Sequence, residues 1–180
     1  MTQTEIEVGP IASKLKQQDE QSKRRVSKLE TDQERREAAH YASELAGEYS
    51  AKLLCIGKEL TTFPDNEYPQ VHSIKNDLKP EKSSTYSFSS TALFRIFNNY
   101  RAFSHIEKDI DELIRTASGM TTEHFGLAGI DRIRLNIRLA ELENAFRFAR
   151  MAANIWKPYK KAIYAAVDKI TPLISLFDSL

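Results

Sequence analysis

The chain has 180 residues, a length typical of one compact domain or two at most. Its 6 glycines and 6 prolines are few for that length, which argues against a turn-rich β fold and against low complexity over most of the chain. The 26 Lys and Arg against 25 Asp and Glu give a net charge of +1, which excludes a nucleic-acid binder that depends on bulk positive charge but leaves room for a local basic face.

Residues 1–30 form a charged N-terminal arm, predicted to be helical or partly disordered. It begins without the apolar stretch of a signal peptide. From residue 14 to 30 the only apolar side chains are Leu15, Val26 and Leu29, and a helix this polar is stabilised mainly by packing. We therefore expect the arm either to fray in the monomer or to be ordered by another chain. In that second case the three apolar residues are its predicted partner contacts. The arm either continues into the next helix as one rod or forms a separate helix.

Residues 31–180 are predicted to form a single helical-bundle domain. Thr31 and Glu34 have the spacing of a capping box and begin an amphipathic helix over 32–60. Cys55 lies in an apolar stretch of that helix, so we expect it to be buried; as the single cysteine it cannot form an intramolecular disulfide. A loop over 61–89 follows and contains a short helix near 69–78.

The next helix is predicted over 91–117, with apolar residues at steps of three and four and Gly119 as its stop. After Pro158, which is expected to end or kink the preceding helix, a last helix is predicted over 159–178. Within it, Pro172 is expected to restart a final turn.

The helix predicted over 130–156 has two apolar faces. One is a heptad-like, coiled-coil seam and the other lies on the opposite side, so both must be covered, by other helices or by a partner. The seam consists of Leu135, Leu139, Leu142, Phe146, Ala149, Ala153 and Trp156, and the second face of Ile133, Ile137, Ala140, Phe148, Met151 and Ile155.

No segment alternates apolar and polar residues long enough to predict a strand, so the fold is predicted to be all-α: an antiparallel bundle of about four main helices with the arm and the loop described above. No apolar run approaches the ~18 residues of a membrane span, so no membrane partner is expected. We therefore predict a cytoplasmic protein.

Familiar catalytic and cofactor motifs are missing. The glycines match neither phosphate-binding loop motif, no G-x-S-x-G sequence occurs, and the four histidines lack metal-ligand spacing. Glu37 and His40 form one Glu-x-x-His unit, but a di-iron bundle needs a second. We predict no catalytic residue, no metal and no cofactor.

One short element has a counterpart in a known family. The segment from Arg35 to His40 reads Arg-x4-His and is similar to the R-x4-6-H element of the HEPN ribonucleases, which are all-α proteins. The residue after Arg35 is Arg36, where that family usually has Asn, Asp or His. The resemblance implies that His40 acts as acid or base and that Arg35 or Arg36 holds phosphate.

Charge is distributed unevenly along the chain. Residues 131–161 contain eight Lys and Arg against three Asp and Glu, whereas 103–123 contain two against five. The arginines either pair with the acidic segment and the arm or form a face that follows a phosphate backbone or an acidic partner. The cations of this basic stripe are Arg132, Arg134, Arg138, Arg147, Arg150, Lys157, Lys160 and Lys161.

These patterns favour a non-catalytic interaction or assembly protein. It is expected to bind a protein partner or to self-associate as a homo-oligomer, through the arm and the second apolar face of the 130–156 helix, with Arg147 and Arg150 as further contacts. The alternative is a small helical subunit of a nucleoprotein complex that contacts RNA or DNA through the basic stripe. A third hypothesis is a HEPN-like ribonuclease that uses Arg35 or Arg36 with His40.

Overall fold

A computed structural model of the chain describes residues 31–61, 68–79, 90–127 and 129–178, and in these ranges it contains helices and no strand. The predicted all-α bundle is confirmed, with four long helices packed against one another and the short helix in the 61–89 segment. The arm, with Leu15, Val26 and Leu29, lies outside the described residues. The helices are α1 (Asp32–Thr61), α2 (Tyr68–Asp77), α3 (Ser90–Met120), α4 (Gly129–Trp156) and α5 (Lys160–Asp178).

The predicted start of α1 is confirmed by its cap. The Glu34 backbone N–H donates to Oγ1 of Thr31 at 3.4 Å, which satisfies one of the amide groups left unpaired at a helix start. Thr31 itself is not helical, so α1 begins at the residue after it. A 3-10 turn over Lys157–Tyr159 separates α4 from α5 at Pro158, as predicted.

Three local predictions are wrong. α3 continues through Gly119 and ends at Met120. Pro172 lies inside α5 and does not restart it. The hydroxyl of the preceding residue, Thr171, donates to the carbonyl of Val167 one turn earlier in the helix, at 2.7 Å. Cys55 is exposed, because it lies beside Leu54 on the outer side of α1 while Leu53 and Ile56 point into the core.

The chain divides into two compact units, and α1, α3 and α4 each contribute to both. Unit 1 comprises Met1–Leu54 and His105–Arg147, and its described part contains the first part of α1, the second part of α3 and most of α4. Its largest fully buried side chains are Leu53, Ile110, Leu113, Met120, Leu135 and Leu142.

Unit 2 comprises Cys55–Ser104 and Phe148–Leu180. The indole N–H of Trp156, 1% exposed, donates to the carbonyl of Leu60 at 2.9 Å and so satisfies one of the last carbonyl groups of α1. Close packing continues at Gly57, where a β-carbon would overlap the ring of Phe148. The other large fully buried side chains of unit 2 are Leu60, Ile74, Leu93 and Ile96.

Candidate protein-interaction face

Three isoleucines on α4 are exposed in unit 1. Ile130, Ile133 and Ile137 are 64%, 58% and 54% exposed, although isoleucine is among the residues most often buried in proteins. Their spacing of three and four residues places them in one row along the helix. We call this row the α4 face.

Ile133 and Ile137 belong to the second apolar stripe expected from the sequence, whereas Ile130 was not assigned to it. The opposite seam is buried throughout, from Leu135 to Trp156, as expected. Among the other stripe residues, Ala140 is exposed and Phe148 is half-buried against Gly57. Met151 and Ile155, in unit 2, are 65% and 45% exposed. The chain's own helices therefore cover one of the two apolar faces of α4 and leave most of the other uncovered.

Beside the α4 face lies an open groove of about 550 Å³, which we call the α1–α4 groove. Small residues of α1 leave space there: Ala39 and Ser43 are four residues apart, and at Gly47 a β-carbon would lie 3.5 Å from Nη1 of Arg138. Ile137 belongs both to the groove and to the α4 face. The full lining is Ala39, His40, Ser43, Glu44, Asp131, Arg134, Ile137, Arg138 and Glu141.

The three carboxylates of the groove are each matched by a nearby side chain. Nε of Arg36 lies 3.8 Å from Oδ2 of Asp131, and Nη1 of Arg138 lies 3.2 Å from Oε2 of Glu141. Nε2 of His40 lies 3.0 Å from Oε1 of Glu44, a contact that carries full charge only when the imidazole is protonated. Arg134 is exposed and has no ion pair with any described residue. Its guanidinium group is therefore available to an anionic group of another molecule.

The basic stripe is largely exposed. Within unit 1, Arg132 is half-buried, whereas Arg134, Arg138 and Arg147 are exposed. The unit 2 members, which are Arg150, Lys157, Lys160 and Lys161, are all exposed. The acidic residues proposed to neutralise the stripe include Asp111, whose carboxylate lies 3.8 Å from Arg115 on its own helix.

The Arg-x4-His element is only partly assembled. The Arg35 side chain is 16% exposed, lies over Gly126 and reaches Asp32 at 4.0 Å, so it turns away from the groove. Arg36 and His40 are four residues apart on one side of α1, and both side chains are at least 70% exposed. His40 and Asp131 both line the groove, and Arg36 contacts Asp131, whereas Arg35 belongs to neither contact.

Sequence reasoning missed the groove itself. Ile130, Asp131, Ser43 and Glu44 received no role, because each is unremarkable within its own helix. The available signal was the spacing of small residues at Ala39, Ser43 and Gly47, which marks one side of α1 where long side chains of a neighbouring helix can lie.

Comparison of the chain with known protein families, with curated proteins and with solved structures gives no significant match. Among the described residues, no group of three or more His, Cys, Asp or Glu side chains has the arrangement of a metal site. The helices over the described ranges also include none with the length and apolar character needed to span a membrane.

Proposed function

We propose that this chain is a non-catalytic, all-helical assembly protein that binds a protein partner or a second copy of itself. The binding elements are the arm of residues 1–30 and the second apolar face of α4. The exposure of Ile130, Ile133 and Ile137 carries the proposal. Isolated exposed apolar residues are ordinary on protein surfaces, whereas contiguous apolar patches are typical of interaction sites.

The free energy available at this face supports association. Full burial of an isoleucine side chain contributes about 1.5–3 kcal/mol, so covering three that are more than half exposed contributes several kcal/mol before the cost of association. The ion pairs of the α1–α4 groove place both signs of charge beside the α4 face, which supports a protein as the partner.

Light scattering coupled to size-exclusion chromatography tests this function. We expect the full chain to run as a dimer or larger species at both low and high salt, to ignore a generic single-stranded RNA and to leave that RNA uncleaved. The double variant Ile133→Lys, Ile137→Lys should run as a monomer, because two charged groups cannot be buried there without partners.

Leu54→Lys is the matched control. Leu54 is also a large exposed apolar residue, at 44%, but lies on α1 outside the α4 face, so this variant should associate like the unchanged chain. Circular dichroism should show the same helicity for all three proteins. An unchanged mass of the double variant would contradict the role of the α4 face, and RNA cleavage that requires His40 would contradict the non-catalytic assignment.

The second candidate is a helical subunit of a nucleoprotein complex, favoured by the exposure of Arg147, Arg150 and the lysines at 157, 160 and 161. Trp156 argues against this candidate, because its ring is buried and cannot stack on a nucleic-acid base. Nζ of Lys75 lies 4.8 Å from the centre of that ring. A monomer that moves onto RNA at low salt and leaves it at high salt would establish this function instead.

A further inference from the structure

We infer that the α4 face is covered by a second copy of this chain, whose α4 lies antiparallel to the first across a two-fold axis near Ile137 and Arg138. The inference rests on the proposed function and adds to it the identity of the partner and the geometry of the pair.

Charge placement on α4 selects this partner and direction. Arg134 and Glu141 both line the α1–α4 groove and are seven residues apart, which is two helical turns or roughly 10 Å. In an antiparallel pair centred midway between them, Arg134 of each copy lies level with Glu141 of the other. A parallel two-fold pair would place Arg134 level with its own counterpart, which is repulsive. The antiparallel arrangement therefore gives two ion pairs, and it supplies Arg134 with an anion that no described residue of the single chain provides.

Ile137 and Ala140 fit the same centre. Ile137 lies next to the midpoint, so the two copies of this side chain meet at the axis. Ala140 is exposed and small, and it allows the second helix to approach closely on that side. Ile133 of each copy then lies toward the turn that contains Glu141 and Asn144 of the other.

The charge balance of the groove favours a copy of the same chain over a nucleic acid at this face. A two-fold interface brings one patch against itself, so the patch must carry both signs of charge. The α1–α4 groove contains three carboxylates, two guanidinium groups and one imidazole. A phosphate backbone laid along the groove would face those carboxylates, whereas a second copy brings Arg134 level with the carboxylate of Glu141.

Reciprocal charge reversal tests the pairing in the full chain. Arg134→Glu and Glu141→Arg each replace the two attractive contacts of the dimer with two like-charge contacts. The dimer of each single variant should therefore have a Kd at least about ten-fold higher than the dimer of the unchanged chain. In an equimolar mixture, one variant carries carboxylates at both positions and the other carries guanidinium groups at both. Every contact across the axis then joins opposite charges again, so the mixture should restore a heterodimer. The double variant should likewise recover the homodimer.

Glu143→Arg and Arg115→Glu are matched controls, since both residues are exposed in unit 1 and neither lines the groove; their dimers should keep the original Kd. If the isoleucine variant dissociates while the single charge reversals have no effect, the antiparallel pairing is overturned and the proposed function stands. Failure of the mixture to restore a dimer also overturns the pairing. A monomeric unchanged chain at all concentrations overturns self-association altogether.

Discussion

Tyr49 carries the one buried side-chain oxygen in the described part of the chain that has no hydrogen-bond partner. The residue is 2% exposed in the core of unit 1, so its hydroxyl has lost water without replacement. An unsatisfied buried polar group costs about 1–3 kcal/mol. We expect Tyr49→Phe to raise the free energy of unfolding by about 1 kcal/mol in urea denaturation, and the more exposed Tyr41→Phe to change it little. A loss of stability in Tyr49→Phe would show that the hydroxyl is satisfied in solution.

The same hydroxyl makes stability depend on pH in the alkaline range. Burial, and then the nearby charges of Asp109 and Glu48, raise the pKa of Tyr49 above its ordinary value. The unfolded chain therefore releases this proton near pH 10 while the folded chain retains it, so the folded state binds more protons and its stability falls as pH rises above about 10. Tyr49→Phe should lose less stability over that range, because this contribution is removed.

At the scale of the helices, two glycines of α1 lie against α4 residues, and only one of them has room for a β-carbon. A β-carbon on Gly57 would overlap the Phe148 ring, whereas one on Gly47 would make an ordinary contact with Arg138. We expect Gly57→Ala to lower the free energy of unfolding by about 1–3 kcal/mol through overpacking. Gly47→Ala, the matched control, should raise it by about 0.5–1 kcal/mol because alanine favours the helix. Thermal denaturation of both variants measures the difference, and equal effects would mean that the Phe148 ring moves freely.

Periodicity along single helices explains what could be predicted from the sequence. The two apolar stripes of α4 follow from steps of three and four residues, and so does the burial of one of them. Periodicity does not determine which neighbour covers which stripe, since that depends on how α1 and α4 are aligned. The α1–α4 groove depends on this alignment, because Ser43 and Ile137 must line the same space and Gly47 must lie beside Arg138. Cys55 was misplaced for a related reason: its apolar neighbours in sequence lie on different sides of the helix.

At the scale of the whole molecule, a net charge near zero conceals local surfaces of different character. In unit 1 the α1–α4 groove mixes both signs beside exposed isoleucines, which suits a protein partner. In unit 2, Lys157, Lys160 and Lys161 are exposed, and the last two begin α5, a helix with few acidic residues. We therefore expect variants in the groove to affect the proposed protein association and variants at these lysines to affect any anion binding, each leaving the other property intact.

The arm provides the last test at this scale. A chain that begins at Thr31 retains the α1 cap and the contact between Arg36 and Asp131, so its helicity per residue should not fall. We expect it to run as a monomer at concentrations where the full chain associates, because the contacts proposed for Leu15, Val26 and Leu29 are removed. The full-length variant with lysine at these three positions should behave in the same way, which separates the loss of apolar contacts from the loss of chain length. If the shortened chain assembles unchanged, the arm takes no part in association, and the α4 face must supply the whole interface.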